Sequence, residues 1–291
     1  MQKPKIIVTG GNGQLAKEIR ALSLSCQVFD FLFLSKEDMP IHHFELVRNY
    51  FEAVKPFACI NCAAYTAVDK AETERELAML VNGESAGVLA AACKLFNTRF
   101  IHVSTDYVFD GNATIPYKES QATIPVNYYG ATKLKGEVLC VERNPASIIL
   151  RTSWVYSEYG NNFVKTMVRL MKEKESINVV NDQLGSPTYA GDLAKAILQI
   201  LDSTCKDDKN WKPGIYHFSN EGIISWYDFA IAIRDLIHSS CAVNPIPTSG
   251  YPTPAKRPAY SGLDKSKIIK TFQLSIPAWK DSLQLCLKKL A

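Results

Sequence analysis

Lys5-Ile6-Ile7-Val8-Thr9-Gly10-Gly11-Asn12-Gly13-Gln14-Leu15-Ala16 is the stretch on which the fold turns. Lys5–Thr9 is short, apolar and β-branched, as a buried strand is. Gly10, Gly11 and Gly13 break it, and helical spacing runs from Gln14 to about Leu24. Outward from there the alternation repeats. Strand patterns are expected over 27–34, 58–62, 100–104 and 147–151, and helical patterns over Phe44–Val54, 74–96 (one or two helices) and 129–142. Apolar strands alternating with helices imply a doubly wound parallel sheet covered on both faces. After Thr152 the rhythm loosens and Pro and Gly recur, as at 185–187, 213–214 and 245–258. Residues 216–218 read as one more strand of the main sheet. The expected division is a first domain of residues 1–153 plus about 189–218, and a smaller α/β lobe of about 154–188 plus 219–291.

The glycine turn sits where a strand hands over to a helix, the context a dinucleotide-binding motif requires. Glycines let the backbone turn tightly, and a pyrophosphate can then approach the N–H groups and positive dipole end of the helix. Ala16 stands at the position where helix and strand must pack closely. The fold class is therefore α/β, Rossmann-type, with Gly10, Gly13, Gln14 and Leu15 at the cofactor. The second strand ends in Phe33-Leu34-Ser35-Lys36. A carboxylate there would bind a ribose 2′-hydroxyl and repel a 2′-phosphate. Ser35 and Lys36 suit the phosphate instead, which points to NADPH with NADH also usable. Asp30 lies too early in the strand to intervene.

Tyr129-Gly130-Ala131-Thr132-Lys133 puts a phenol and an ammonium four residues apart, on one face of a helix. A phenol with its ordinary pKa near 10 is a poor acid–base catalyst at neutral pH, and a neighbouring ammonium lowers it. The fourth strand ends in Ser104-Thr105-Asp106. Strand ends of such sheets face the ligand crevice, so Thr105 is placed to hydrogen-bond a substrate carbonyl beside Tyr129, a role that Ser104 could share.

The composition is that of an ordinary globular chain: 291 residues, 47% hydrophobic, 21% charged. A net charge of +4, with both signs interspersed, argues against a nucleic-acid binder and suits an anionic small ligand. No run approaches a membrane span and no targeting segment is visible. The eight cysteines follow no framework and read as reduced thiols of a cytoplasmic protein. Cys59 and Cys62, three apart in a strand, face opposite sides and read as inert thiols. The five histidines show no metal-ligand spacing, so no catalytic metal is expected.

With these motifs in hand, the chain resembles the extended short-chain dehydrogenase/reductase family, and within it the dTDP-4-dehydrorhamnose reductase family. The resemblance covers nearly the whole length. It rests on the glycine turn and on Asn61-Cys62-Ala63-Ala64-Tyr65-Thr66-Ala67-Val68-Asp69-Lys70-Ala71-Glu72. It continues in Ser104-Thr105-Asp106-Tyr107-Val108-Phe109-Asp110-Gly111, Tyr129 to Lys133, Arg151-Thr152-Ser153-Trp154, Gly160-Asn161-Asn162-Phe163 and Tyr251-Pro252-Thr253-Pro254-Ala255-Lys256-Arg257-Pro258. It implies NAD(P)H-dependent reduction of the C4 ketone of a dTDP-linked 4-keto-6-deoxy sugar, dTDP-4-dehydro-6-deoxy-L-mannose, in the making of dTDP-L-rhamnose for cell-wall polysaccharide. By the same resemblance Tyr129 is the proton donor, and Lys133 binds the cofactor ribose and tunes Tyr129. Thr105 binds the keto sugar with Asp106 beside it. Ala63, Ala64 and Tyr65 lie along the cofactor, and Trp154 lies against the sugar. A homodimer is compatible with it. The family often has Asp where Ser35 and Pro40 stand.

Bland readings stand beside these. Trp154 also suits simple core packing. Asn161 and Asn162 also suit capping of the helix that begins near Phe163. Arg257 has the forked donors a diphosphate takes, yet sits in a Pro-rich loop where it could be solvated. Two rival functions share the fold. One is another sugar-nucleotide dehydratase, epimerase or reductase; a dehydratase needs a second carboxylate after Asp106, where Tyr107 stands. A non-catalytic cofactor-binding subunit, resembling the β subunit of methionine adenosyltransferase, would not need Thr105, Tyr129 and Lys133.

Overall fold

The computed structural model describes residues 3–290. The first half runs β1 (Lys5–Thr9), α1 (Gln14–Ser23), β2 (Asp30–Leu34), α2 (Phe44–Val54), β3 (Ala58–Asn61), α3 (Arg75–Met79), α4 (Ser85–Leu95), β4 (Arg99–Thr105), α5 (Tyr128–Arg143) and β5 (Ile148–Thr152). The second half runs β6 (Val155–Tyr156), α6 (Phe163–Glu173), β7 (Ser176–Val180), β8 (Leu184–Gly185), β9 (Thr188–Tyr189), α7 (Ala190–Lys206), β10 (Gly214–His217), β11 (Ile224–Ser225), α8 (Trp226–Leu236), β12 (Ala242–Ile246), α9 (Ser266–Phe272) and α10 (Trp279–Leu290).

Six strands form one parallel sheet in the order β10-β5-β4-β3-β1-β2. Parallel neighbours need crossover connections, and helices provide them on both faces. One face is covered by α1, α7 and α9 through Ile19, Ile197 and Ile268, the other by α2 and α4 through Phe51 and Leu89. Central strands are buried on both sides, which is why β1 and β3 are apolar without alternation. The strand expected at 216–218 is β10, at the sheet edge beside β5. A separate core joins α6, α8 and α10 with β7 and β12 through Val164, Phe229, Ile233 and Leu283. There β7 pairs with β12, β6 with β9 and β8 with β11.

Two expectations are revised. The second strand starts at Asp30 rather than near residue 27, because β1 offers it partners only from Lys5, which faces Asp30. The helical stretch over 74–96 is interrupted by a π turn, Leu80–Glu84, that carries the fully buried Asn82. Such turns are frequent at functional sites.

One buried ion pair ties three elements together. Arg151 of β5 grips Glu137 of α5 with Nε at 2.9 Å and Nη2 at 2.7 Å, and both side chains are 3% exposed. The Ser104 hydroxyl of β4 donates to the same carboxylate at 2.5 Å. Removing one member leaves an uncompensated charge in the interior. Arg151→Ala is therefore expected to cost about 3–5 kcal/mol of unfolding free energy, whereas replacing Arg151 and Glu137 together with methionine costs less; urea unfolding of the two variants checks this.

Candidate active site

β2 lies on one side of β1 and β3 on the other. This reversal opens a crevice above the C-terminal ends of β1 and β3. Gly10 has φ +66°, and a Cβ there would stand 2.6 Å from the Ala63 nitrogen. Only glycine lets the turn after β1 lie against the loop after β3. Gly13 caps α1 without any side-chain acceptor, so the N–H groups of the first turn remain for an anion at the positive end of the helix.

Two cavities meet at this turn and share Asn12, Gly13, Cys62 and Ala64. The larger, ≈ 790 Å³, is lined by Gly10, Ser35, Lys36, Ala63 and Tyr65. The smaller, ≈ 370 Å³, is lined by Gln14, Leu15, Tyr129 and Lys133. Every residue expected at the cofactor thus lines one arm of a single bent groove, whose shape and free donors fit a dinucleotide.

The groove's walls are fixed from behind. Thr9 donates to Asn61 Oδ1 at 2.7 Å, and Ala63 N–H to the same oxygen at 3.1 Å. Asn61 Nδ2 meets His102 Nδ1 at 3.0 Å. Burial holds the His102 imidazole well below its usual pKa, hence neutral. Asn82 brackets Tyr65, accepting its N–H at 2.8 Å and donating to its carbonyl at 3.0 Å. Cys62 is a free thiol on the groove wall, pushed up by burial and so unreactive.

The tip of β2 differs from its reading in one respect. No carboxylate stands at residue 35, but two follow it. Asp38 Oδ2 accepts the Ser35 N–H at 2.9 Å, and Ser35 Oγ accepts from the N–H groups of Glu37 and Asp38, both at 3.3 Å. Glu37 lines the cavity, 3.7 Å from Lys36, with both side chains largely exposed. Hydrogen bonds from Ser35 lower both carboxyls, which stay ionised. The chain turns straight back after Lys36, so the tip that carries Ser35 and Lys36 carries these carboxylates as well.

At the end of β4, Thr105 donates to Asp106 Oδ1 at 2.9 Å and accepts the Tyr107 N–H at 3.2 Å. α5 begins beside it because Asn127 caps Gly130 N–H at 2.8 Å and Glu72 accepts the Tyr128 N–H at 2.8 Å. Gly130 permits the approach, since a Cβ there would stand 2.2 Å from the Tyr107 carbonyl. Tyr129 then lines the groove, edge-on to Tyr107 at 5.7 Å. Burial raises its phenol above the ordinary value, the Thr105 hydroxyl draws it down, and Asp106 raises it further.

Lys133 is 2% exposed, and its Nζ donates to the Val103 carbonyl at 2.6 Å. Burial lowers it to about 8. Lys133 Nζ is thus seated on the Val103 carbonyl of β4, on the wall of the same arm of the groove as Tyr129. Ser104 also lines the groove, but its proton is committed to Glu137.

A third cavity, ≈ 670 Å³, opens beyond Tyr107 between the two cores. Arg257 lines it and pairs with Asp69 at 2.8 Å, so it is neither solvated nor without a partner. Trp154, with φ +48°, stacks on Trp226 at 3.6 Å, and it is Trp226 that lines the cavity. Asn162 caps α6 by accepting the Lys165 N–H at 3.1 Å, while Asn161 lines the smaller arm of the groove.

Sequence reasoning gave no role to Tyr107, Asp69, Trp226 or Asn82. The first two stand inside quoted motifs, and Ser225 with Asp228 forms a capping box that places Trp226 at the start of α8. Asn82 left no signal, because a π turn has no period of its own.

A side chain at residue 13 would find only the Gly10 carbonyl within contact, at 3.2 Å. Gly13→Val is accordingly expected to stay folded yet lose nicotinamide-dinucleotide binding by well over tenfold, as read by calorimetry.

Comparison with known proteins agrees with this geometry. Residues 4–291 match the family model described as the RmlD substrate binding domain. A dTDP-4-dehydrorhamnose reductase of Aggregatibacter actinomycetemcomitans is 43% identical over 286 residues, 96% of this chain and 97% of that protein. Among solved structures, the dTDP-4-dehydrorhamnose reductase of Bacillus anthracis in complex with NADP superposes with a TM-score of 0.93 at 38% identity, covering 99% of this chain and 100% of that one. That of Clostridium acetobutylicum gives 0.92 at 40%, covering 98% and 99%. A Thermus thermophilus UDP-glucose 4-epimerase, 18% identical with a TM-score of 0.81, shares the fold. With its glycine turn, its Tyr129 and Lys133 and its full-length match, the chain belongs to the dTDP-4-dehydrorhamnose reductase family.

Proposed function

We propose that this chain reduces the C4 ketone of dTDP-4-dehydro-6-deoxy-L-mannose to dTDP-L-rhamnose, with NADPH as reductant and NADH as a second donor. The observation that carries the reading is the place of Tyr129. It lines the dinucleotide groove and touches Tyr107, which lines the neighbouring cavity. Bound in that groove, the reduced nicotinamide supplies a hydride to the ketone carbon. The turn at Gly10 and Gly13 with Gln14 and Leu15 holds the dinucleotide, flanked by Ser35, Lys36, Ala63, Ala64 and Tyr65. Lys133 holds the nicotinamide ribose.

Tyr129 gives its phenolic proton to the developing alkoxide oxygen. Burial favours the protonated phenol, so the donor is loaded at neutral pH. Thr105 hydrogen-bonds the ketone beside it. The lobe of about residues 154–188 and 219–291 takes the sugar nucleotide, and Arg257 of its 251–258 loop binds the diphosphate, a role supported by its lining of the third cavity. Pairing with Asp69 means that Arg257 must exchange or share that partner when the anion enters.

A dehydratase would need two carboxylates at the substrate, and Tyr107 occupies the second position. The experiment that separates this reading from a binding subunit without activity is NADPH oxidation with the dTDP-keto sugar, which only the enzyme turns over.

Tyr129→Phe is expected to keep its fold and cofactor affinity while kcat falls at least about a hundredfold, the scale of losing a positioned acid; near-normal steady-state rates would sink the assignment. For cofactor choice, kcat/KM with NADPH should at least equal that with NADH. Ser35→Asp should move the ratio towards NADH at low ionic strength, because it adds a third carboxylate to those of Glu37 and Asp38.

A further inference from the structure

Asp106 is 4% exposed, and its Oδ2 accepts no hydrogen bond. Its other oxygen takes the Thr105 proton. A hydroxyl has one proton and two lone pairs. Thr105 spends the proton on Asp106 and one lone pair on the Tyr107 N–H, so only an acceptor is left towards Tyr129. In that state Thr105 cannot donate to a ketone, and the Tyr129 proton has Thr105 as a competing acceptor. Two hydroxyls that both serve one ketone oxygen need the opposite polarity.

We propose that Asp106 works as a neutral acid, donating its carboxyl proton to Thr105 Oγ1 and so turning the Thr105 proton towards the substrate ketone. The inference rests on the reading of Thr105 and Tyr129 given above. No proton is lost from the relay: the product hydroxyl keeps the one from Tyr129, while those of Thr105 and Asp106 only reorient. Asp106 is thus a positioning residue acting through Thr105.

The surroundings favour the neutral acid. Burial raises the carboxyl to about 6, against the hydroxyls of Thr105 and Ser261 and the N–H groups of Asp106 and Tyr107, which lower it. Thr105 and Tyr107 face it from its own segment, Tyr129 from α5, and Ser261 from the loop beyond Arg257. Arg257 lowers Tyr107 beside it and is itself paired with Asp69. Below about 6 Asp106 keeps its proton and Thr105 is a donor; as pH rises through that value the donor is withdrawn. Tyr129 stays protonated throughout, so it adds no ionisation of its own in this range.

The test is the single-turnover rate of NADPH oxidation by the whole enzyme with saturating dTDP-4-keto sugar between pH 5 and 8. Wild type is expected to descend through one ionisation near 6 to a plateau at least about tenfold lower, with KM little changed, since withdrawing one donor from a developing oxyanion slows the chemical step. Asp106→Asn, whose amide N–H can face Thr105 and does not titrate, should be flat and close to the upper plateau. Thr105→Val should be flat and slow. A flat wild-type profile overturns the proposal with no variant needed. So does an Asn variant that keeps the wild-type descent or runs at or below the lower plateau. If Asp106→Asn does not fold, Thr105→Val decides: retention of the wild-type descent overturns the proposal, and its loss supports it. Wild-type speed in both Thr105→Val and Tyr129→Phe would instead sink the assignment of the site itself, and this proposal with it.

Discussion

The close seating of α5 against the end of β4 is the contact on which the rest of the site depends. A helix normally keeps its backbone well clear of a neighbouring strand end. Here Gly130 lies against the Tyr107 carbonyl and Gly136 against the Asn82 carbonyl, and a Cβ at either position would stand 2.2 Å from the oxygen it faces. Behind them Glu137 is clamped by Arg151 and Ser104 in a water-poor interior. A buried ion pair contributes little net stability, because desolvation offsets attraction, but it holds one geometry. That geometry sets Tyr129 beside Thr105 and turns Lys133 onto the Val103 carbonyl.

The same economy joins the two cores. Asn127, while capping α5, donates to the Lys256 carbonyl at 2.8 Å, and Asp69 holds both the Ala255 N–H and Arg257. The loop over 255–258 is thus pinned to the start of α5, next to Tyr107. On the far side Glu18 of α1 takes the Ser157 hydroxyl at 2.7 Å and meets Glu158 and Lys289. Burial pushes Glu18 up to about 7, so it carries the proton of the pair, while Lys289, 2.8 Å from Glu158, sustains the charge there.

Burial, more than neighbouring charge, sets the protonation of the centre. It raises Tyr129 and Asp106, lowers Lys133 and keeps His102 neutral. A reductase that adds a hydride and a proton to a ketone is served by such a site, in which the proton donor is neutral before the reaction and the charge that develops is met by fixed hydrogen bonds rather than by water.

Much of this was legible in the linear chain. The strand–glycine–helix order, the strand expected at 216–218 and the glycine turn follow from local sterics and periodicity, which neighbouring residues carry by themselves. Gly10, Ser35 and Ala63 line the groove for that reason: they follow strand ends, and a parallel sheet gathers strand ends on one edge, while α1 and α5 bring Gln14, Leu15, Tyr129 and Lys133 to it. Hydrogen-bond polarity and ion pairing were decided elsewhere. The partner of Arg257, the stacking of Trp154 on Trp226 and the seating of Lys133 on the Val103 carbonyl depend on which residues distant in sequence arrive at one place. Periodicity says which face a residue occupies; only the packed fold says what that face meets, and in a buried site it is the partner that decides charge, proton and orientation.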